Sequence, residues 1–545
     1  MSASTGTDGY RRLYDGFRWR VPSRFNIRGA LAADWARREP GPPAILEYGS
    51  GGPARTLTYG DLARRSNAFA NALRARGVGR GDRVALLLPQ GFEVVIAHVA
   101  IYKLGAIALP LAVLFGVEAL EYRLYSAGAK VVVTNAGGVE KLRKLTPRLP
   151  SLEFVVCVEG VVDALDFARL VADSPTAFEP EDTGPDDPAL MIFTSGTTGP
   201  PKGALHGHRV LLGHMPGIDM AYEFPARPDE VMWTPADWAW AGGLLNALFP
   251  ALMLGVPVVS ARFDKFAAEP ALALMEEMRV TSAFIPPTAL RMLKGASGAL
   301  DSSRLRLRAV CSAGESLGRE TFEWAQSALG ASVNEFYGQT ECNLVLGSSR
   351  ALGVSRAGAI GLPVPGHHVA LIDPEGRVLP AGRPGQIAVR KPDPVMFLGY
   401  WQNDAATEAK FVGDWMTTGD QGIMDADGYV HFFGRDDDVI TSAGFRIGPG
   451  EIEDCLTGHP AVALAAAVGK PDLLRTEIVK AYLVLKDGVE ASDGLAEEIK
   501  LWVRERLSAH EYPREVEFVG SMPLTTTGKV IRRIFRDRAR AEGSA

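Results

Sequence analysis

Cysteine is scarce in this chain, and the few cysteines lie far apart. The 545 residues include four, at positions 157, 311, 342 and 455, and no two of them form a C-x-x-C pair. A disulfide framework or a zinc site needs cysteines that are paired or closely spaced. The sequence therefore predicts neither, and it favours a reducing compartment.

Long uninterrupted apolar runs are also missing. The first twenty residues, MSASTGTDGYRRLYDGFRWR, contain no apolar run of the signal-peptide type. Their arginines and serines leave a transit peptide open, although Asp8 and Asp15 weigh against one. Residues 94–117 and 244–261 are apolar, but His98 and Lys103 interrupt the first and prolines the second, so buried core elements explain them better than membrane spans. We expect a cytoplasmic protein without an integral membrane segment, with the mitochondrial matrix as the alternative.

An excess of positive charge is absent too. Lysine and arginine number 58 against 64 acidic residues, which gives a net charge of −6. This balance argues against a general nucleic-acid binder. Hydrophobic residues make up 47% of the chain and charged residues 22%, as in a globular protein. Because 545 residues exceed what one ordinary core holds, we expect two or more domains.

Strand patterns alternate with helical patterns through the first part of the chain. Apolar runs such as DRVALLLP (82–89) and AKVVVTN (129–135) predict strands, and the segments between them have helical spacing. This alternation predicts an α/β fold with two doubly wound parallel-sheet subdomains. Residues 366–434 are rich in Gly, Pro and Asp and predict a small β-rich subdomain. A composition shift at 434–438 divides the chain into an N-terminal domain, 1–434, and an α+β C-terminal domain, 435–545.

One loop is rich in serine, threonine and glycine. In ALMIFTSGTTGPPKG (189–203) a short apolar strand runs into this loop, which ends at Lys202. Backbone N–H groups of such a loop can converge on one point, and the hydroxyls and cation beside them suit a polyphosphate. The pattern is not a Walker loop, because Lys202 is followed by glycine. We expect a helix to begin near His206 and its N-terminus to support phosphate binding.

Three later segments carry groups that suit a nucleotide. CSAGES (311–316) follows a strand, and its glycine lets the backbone approach a flat base. EFYGQTE (335–341) contains Tyr337, which can stack on adenine, and Glu341, a hard carboxylate suited to Mg²⁺. TTGD (417–420) ends in Asp420, which can hydrogen-bond a ribose diol. Each segment alone is also typical of a surface turn.

Together and in this order, the motifs resemble those of the adenylate-forming superfamily, which includes acyl-CoA synthetases, adenylation domains of peptide synthetases and luciferases. The motifs are TSGTTGPPKG, YGQTE, TGD, GRDDDVITSAGFRIGPGEIE and PLTTTGKVIRR, and the resemblance spans about residues 25 to 540. WTPADWAWAGG (233–243) and SAGFRIGPGEIE are most similar to the medium-chain acyl-CoA synthetases and the related acetyl-CoA synthetases.

The resemblance implies a two-step ligation. A carboxylate attacks the α-phosphate of ATP to give acyl-AMP and pyrophosphate, and the thiol of coenzyme A then displaces AMP. ATP, Mg²⁺ and coenzyme A are the implied cofactor and co-substrates. The implied acid is short- to medium-chain and fatty, with branched and aromatic acids left open. The sequence shows no obvious cation for a second substrate charge, and a homodimer stays open.

The resemblance also implies roles for individual residues. Catalysis falls to Lys529, Thr340 and Glu341, and Glu341 holds the metal. ATP binding falls to Thr194, Ser195, Gly196, Thr197, Thr198, Gly199, Lys202, Gly314, Glu315, Ser316, Tyr337, Gly338, Asp420 and Arg435. The hinge between the domains is Asp437, the coenzyme A segment is Gly444, Phe445 and Arg446, and the acyl pocket includes Trp240 and Gly242.

Two other functions remain open at this stage. An adenylating enzyme that loads a separate carrier protein would share every motif. A catalytically inactive adenylate-binding protein would share the fold, although all the implied chemical positions hold competent residues, which disfavours it.

Overall fold

The computed structural model describes residues 7–37, 41–49, 55–194, 200–263, 265–296, 301–435, 438–442, 445–472, 475–507, 511–525 and 529–543. The helices are α1 Asp8–Gly16, α2 Asp34–Ala36, α3 Tyr59–Arg74, α4 Phe92–Lys103, α5 Val117–Ala127, α6 Ala136–Arg143, α7 Phe167–Ala172, α8 Val210–Ala221, α9 Ala241–Gly243, α10 Phe249–Leu254, α11 Ala268–Glu277, α12 Pro287–Gly295, α13 Arg319–Leu329, α14 Asp404–Glu408, α15 Pro449–Thr457, α16 Asp493–Arg506 and α17 Arg532–Gly543. Short π-helical segments, Gly29–Ala33 and Leu244–Leu248, precede α2 and α10.

The strands are β1 Pro43–Tyr48, β2 Arg55–Thr58, β3 Arg83–Leu87, β4 Ile107–Pro110, β5 Val131–Thr134, β6 Phe154–Cys157, β7 Leu165–Asp166, β8 Pro188–Phe193, β9 Gly203–Gly207, β10 Met232–Trp233, β11 Val258–Ala261, β12 Ser282–Phe284, β13 Ala309–Ser312, β14 Ser332–Gln339, β15 Cys342–Gly347, β16 Leu362–Pro363, β17 Val369–Ile372, β18 Pro384–Arg390, β19 Gly399–Tyr400, β20 Phe411–Val412, β21 Trp415–Met424, β22 Val430–Arg435, β23 Ile440–Ser442, β24 Phe445–Ile447, β25 Val462–Asp472, β26 Thr476–Leu485 and β27 Glu515–Phe518.

Two large sheets with mainly parallel centres form the first part of the molecule. One has eight strands in the order β19-β9-β8-β4-β3-β5-β6-β7, and the other has nine in the order β16-β15-β14-β13-β12-β10-β11-β1-β2. In each, the antiparallel pairs lie toward an edge, at β8–β9–β19 and at β14–β15–β16 and β1–β2. The prediction of two doubly wound α/β subdomains is confirmed.

Two smaller sheets complete the fold. The strands β17, β18, β20, β21 and β22 form an antiparallel five-stranded sheet, which confirms the predicted β-rich subdomain. The strands β23 to β27 form a separate five-stranded sheet that packs with α15, α16 and α17. This last sheet carries the predicted α+β architecture of the C-terminal part.

The two apolar stretches of the sequence are core elements. Every residue of α4 except Glu93 is buried, and all four residues of β4 are buried. The second stretch contains α10, whose first four residues are also buried, and β11, an interior strand of the nine-stranded sheet. Among the described residues, no helix is long and apolar enough to cross a membrane.

The expected helix near His206 is not formed, so that prediction is wrong. His206 lies in β9, which pairs antiparallel with β8 so that His206 stands opposite Leu190. Helix α8 begins only at Val210. The physical reason is tertiary pairing: β9 hydrogen-bonds between β8 and β19, which outweighs the local preference of GALHG. The N-terminus of α8 therefore does not directly follow the glycine-rich loop.

Candidate active site

The base of the glycine-rich loop is closed by two hydrogen bonds. The backbone N–H of Thr194 donates to the carbonyl of Lys202 at 2.9 Å, and the N–H of Lys202 donates to Thr194 Oγ1 at 3.3 Å. Thr194 directly follows β8, so the loop starts at the carboxyl end of a central strand, where α/β sheets bind ligands. The predicted phosphate-binding residues Ser195, Gly196, Thr197, Thr198 and Gly199 lie outside the described residues.

Tyr400 connects Lys202 with Glu341. The Lys202 ammonium lies 5.2 Å from the centre of the Tyr400 ring, and the Tyr400 hydroxyl donates to Glu341 Oε1. Glu341 is only 7% exposed, and its carbonyl accepts the N–H of Phe397 at 2.9 Å. Burial, reinforced by the Glu341 carboxylate, raises the pKa of Tyr400. The hydroxyl therefore stays protonated and acts as a donor that fixes this carboxylate.

Glu341 fits a Mg²⁺ ion that arrives with a nucleotide. Within the described ranges, no group of three or more His, Cys, Asp or Glu residues could hold a metal by itself. Mg²⁺ is commonly bound by one or two carboxylates together with the phosphates of its substrate. One buried carboxylate, oriented by the Tyr400 hydroxyl, is compatible with that mode of binding. Thr340 is half-buried in the same β14–β15 turn.

Asp420 is held by residues of the YGQTE segment. Its Oδ2 accepts hydrogen bonds from the Tyr337 hydroxyl at 2.6 Å and from Gln339 Nε2 at 2.7 Å. Arg435 Nε lies 3.6 Å from Asp420 Oδ1. Burial raises the pKa of Asp420, although Arg435, Tyr337 and Gln339 favour its ionised form. Two segments that are 83 positions apart in sequence thus form one hydrogen-bonded unit, and Gln339 was not predicted as part of it.

Gly338, in the same segment, is required by packing. A Cβ atom on Gly338 would lie 2.2 Å from the backbone nitrogen of Leu344 and 2.7 Å from Asn343 Cα. The glycine therefore allows β14 and β15 to approach each other closely at their turn.

Gly314, Glu315 and Ser316 follow β13 and precede α13. Gly314 has φ +101°, a conformation that side chains disfavour. Glu315 Oε1 accepts from both the N–H and the hydroxyl of Thr288 at the start of α12, and Arg291 lies 3.5 Å from Oε2. Burial alone would raise the pKa of Glu315, but Arg291, Thr288 and Lys529 outweigh it and the net shift is downward. Glu315 is thus an anchored carboxylate rather than a freely placed one.

Lys529 reaches this segment from the C-terminal part of the chain. A methyl group on Gly314 would lie 3.8 Å from both Lys529 Cε and Nζ. The lysine side chain is exposed, yet desolvation by the protein around it lowers its pKa, an effect that Glu315 and Asp420 oppose. Its backbone is fixed because the Lys529 N–H donates to Thr525 Oγ1 at 3.0 Å. The lysine therefore stands between the predicted base-binding and ribose-binding groups.

The tryptophans of the WTPADWAWAGG segment differ in burial. Trp233 and Trp238 are core residues with exposures of 0% and 2%, whereas Trp240 is half-buried. The Trp240 ring makes an edge contact with Phe115, with centroids 5.7 Å apart. A Cβ on Gly242 would lie 2.8 Å from the Phe284 ring, so that ring occupies the space beside the glycine. Of the three tryptophans, Trp240 is therefore the one whose side chain is partly accessible to solvent.

Family models match most of this chain. The model of the AMP-binding enzyme family matches residues 32–401, and that of the AMP-binding enzyme C-terminal domain matches residues 451–529. The chain belongs to the AMP-binding enzyme family. Acetyl-coenzyme A synthetase of Bacillus subtilis is 34% identical and covers 88% of this chain and 84% of its own length. The mitochondrial acyl-coenzyme A synthetase ACSM2 of Rattus norvegicus is 33% identical and covers 94% and 91%.

A solved structure extends the similarity to the fold. The anthranilate CoA ligase AuaEII in complex with anthranoyl-AMP has a TM-score of 0.86 and 28% identity, covering 96% of this chain and 99% of its own. These similarities confirm the superfamily expected from the motifs and the enzyme class. This AMP-binding enzyme is an AMP-forming acid–thiol ligase that uses ATP, Mg²⁺ and coenzyme A.

Several predicted residues of this AMP-binding enzyme have no described geometry. The predicted hinge residue Asp437 and the predicted coenzyme A residue Gly444 lie outside the described residues, as do the side chains of Phe445 and Arg446. Other residues of the site were missed by sequence reasoning, namely Tyr400, Gln339, Thr288 and Arg291. Gln339 lies within a recognised motif and could have been found there, whereas the other three are separate in sequence and carry no motif of their own.

Proposed function

We propose that this AMP-binding enzyme joins a short- to medium-chain fatty acid to coenzyme A through an acyl-AMP intermediate. Branched and aromatic acids are further candidates. The observation that carries the proposal is the position of Lys529 beside Gly314, with Glu315 and Asp420 acting on its charge. The first step brings a carboxylate and a phosphate together, so it needs cations and oriented donors more than a base.

The residues divide this task among them. Lys529 would stabilise the charge that develops between the acid and the α-phosphate, assisted by the Thr340 hydroxyl. Lys202 and the loop 194–199 would hold the departing pyrophosphate, and Glu341 would hold the Mg²⁺ that comes with ATP. Asp420, oriented by Tyr337 and Gln339, would bind the ribose.

Aromatic side chains support an apolar acid as substrate. Trp240, in contact with Phe115, and Phe284, packed against Gly242, would line the acyl pocket. Rings at these positions limit chain length by volume. The similarity to an anthranilate ligase supports aromatic acids as members of the test panel.

The second step needs a different arrangement of the chain. We propose that residues 435–545 form a mobile domain that turns about Asp437 relative to residues 1–434, and that Gly444, Phe445 and Arg446 then meet coenzyme A. The separate sheet of β23–β27 supports a self-contained C-terminal unit. The first residue described after the hinge, Asp438, is held by Arg536 Nη1 at 2.5 Å and by Arg532.

The test measures each step separately. Acid-dependent ATP–pyrophosphate exchange over a panel of C2 to C12, branched and aromatic acids identifies the substrate, and AMP release with and without coenzyme A identifies the acceptor. Lys529→Ala should reduce exchange about 10²- to 10³-fold, the usual effect of removing one charge-stabilising group. Lys486→Ala, an exposed lysine of the same C-terminal part, is the matched control.

The same assays can refute the proposal. Exchange that is unaffected by Lys529→Ala would contradict the role of the lysine. AMP turnover that requires a carrier protein and ignores coenzyme A would favour the carrier-loading alternative. Absence of exchange with every acid would favour an inactive adenylate-binding protein.

A further inference from the structure

Helix α13 begins without a side-chain cap of its own. Its N-cap residue, Gly318, provides no side-chain oxygen, and the first backbone N–H groups of a helix need acceptors. The Arg319 N–H instead donates to Asp454 Oδ2 at 3.1 Å. Asp454 belongs to α15, which lies 135 positions further along the chain. A residue of the C-terminal part therefore caps a helix of the N-terminal part.

The glycine at position 318 makes this contact possible. A Cβ atom on Gly318 would lie only 1.9 Å from Asp454 Oδ1. Gly318 also has φ +78°, which side chains disfavour. The carboxylate of Asp454 thus occupies the space that any larger residue at 318 would take.

One face of α15 is shaped to meet this region. Gly450, Asp454 and Gly458 are spaced four residues apart and therefore lie along one side of the helix. A Cβ on Gly450 would lie 3.9 Å from Ser316 Cβ, and a Cβ on Gly458 would lie 2.3 Å from Glu320 Oε1. We call this set, residues 316–320 with Gly450, Asp454 and Gly458, the α13–α15 contact.

Charge supports the capping role. Burial raises the pKa of Asp454 to about 6, with Arg291 and Lys294 of α12 opposing the shift and Glu320 of α13 adding to it. The Arg319 N–H also favours the ionised form, whose negative charge faces the positive end of the α13 dipole. A carboxylate is a stronger acceptor here than a neutral oxygen.

The α13–α15 contact lies beside the nucleotide-binding segment. Gly314, Glu315 and Ser316 closely precede α13, and Lys529 approaches Gly314 from the C-terminal part that also contains α15. Any rotation of the C-terminal part about residue 437 would have to separate Asp454 from Arg319. In this structure the cap and the placement of Lys529 beside Gly314 occur together.

We propose that Asp454 is a positioning residue that holds the C-terminal part in the adenylate-forming arrangement by capping α13. This inference rests on the proposed two-step function. Asp454 touches no reacting atom and acts through the placement of Lys529. Its loss should weaken the first step, and it should spare or favour the second, in which the contact is broken.

The decisive experiment compares the two half-reactions in Asp454→Ala. We expect acid-dependent ATP–pyrophosphate exchange to fall about 3- to 30-fold, the range for loss of a helix N-cap. Thioester formation from supplied acyl-AMP and coenzyme A should stay within about twofold of wild type or rise. Asp454→Asn keeps an acceptor oxygen and should recover part of the exchange activity. Asp487→Ala, an exposed carboxylate of the same C-terminal part, should change neither half-reaction.

A second variant tests the contact from the other side. Gly318→Ala should reduce exchange because its methyl group displaces the Asp454 carboxylate. In the Asp454→Ala background the same substitution should do less harm, because only the backbone strain at residue 318 remains. Additive effects of the two substitutions would contradict the proposal.

The outcomes separate the inference from the function on which it rests. Absence of acid-dependent exchange in the wild type would overturn the proposed function. Exchange in the wild type with no loss in Asp454→Ala, or an equal loss in both half-reactions, would overturn the role of Asp454 alone.

Discussion

The hydroxyl of Tyr400 offers a direct test of how the carboxylate of Glu341 is positioned. Tyr400→Phe removes one oxygen atom and leaves the ring in place, so the contact between that ring and the Lys202 ammonium, 5.2 Å away, is kept. What is lost is the hydrogen bond to Glu341 Oε1. The substitution therefore isolates the orientation of the proposed Mg²⁺ ligand from its charge.

The size of the effect follows from burial. Tyr400 and Glu341 are each 7% exposed, so water replaces the lost donor poorly. A hydrogen bond to a charged group contributes about 1.5–3 kcal/mol. If that energy is used to orient the carboxylate for Mg²⁺ and ATP, kcat/KM for ATP falls roughly 10- to 100-fold. The Mg²⁺ concentration for half-maximal rate should rise with it.

The assay is ATP–pyrophosphate exchange across a Mg²⁺ titration. Tyr59→Phe is the control, because it removes another buried tyrosine hydroxyl, which donates to the carbonyl of Leu252 at 2.8 Å and has no bond to the site residues named above. Combining Tyr400→Phe with Glu341→Gln should add little further loss, since both act on one carboxylate. A Tyr400→Phe enzyme with wild-type kcat/KM and Mg²⁺ dependence, or full additivity with Glu341→Gln, would refute the reasoning.

Three further predictions concern the pocket and the core. Trp240→Gly should shift the preferred acid to longer chains, and each additional methylene that fits should raise kcat/KM about fourfold. An unchanged chain-length profile in the exchange assay would show that Trp240 does not line the acyl pocket. Lys103 is 4% exposed, donates to the neutral oxygens of Ala63, Ser66 and Asn67, and has a pKa lowered to about 7 by burial. The pKa of Lys103 is lower in the folded state than in the unfolded state. Its buried charge therefore destabilises the fold fully below pH 7, and this destabilisation fades as pH rises toward 10. Wild type should therefore gain up to ~4 kcal/mol relative to Lys103→Met between pH 7 and 10 in denaturant unfolding, and a pH-independent difference would contradict the shift. Gly338→Ala should lower the free energy of unfolding by ~1–3 kcal/mol, because the added methyl group overpacks the β14–β15 turn. Denaturant unfolding measures this change too, and an unchanged free energy would show that the turn can relax.

The sequence predicted the fold class, which is confirmed, and it named most of the residues proposed for the site. Alternating apolar runs indicated two α/β sheets because a buried parallel strand reads as a continuous apolar segment. Motifs indicated Thr194, Lys202, Gly314, Tyr337, Asp420 and Lys529, because each is embedded in a distinctive local run of residues. The error at His206 has the opposite cause: GALHG is too short to show a period, so its pairing with β8 and β19 decided its structure.

The sequence by itself determined which chemical groups the enzyme has, and the tertiary structure decided how they are held. Motif residues are recognisable because their backbone must turn or bind in a set way within a few positions. The residues that orient them, such as Tyr400 on Glu341, Gln339 on Asp420 and Asp454 on Arg319, act over 59, 81 and 135 positions. Only folding brings such distant positions together, so no local pattern marks them. Lys529 belongs to both groups, because its motif is local while its place beside Gly314 depends on how the C-terminal part is docked.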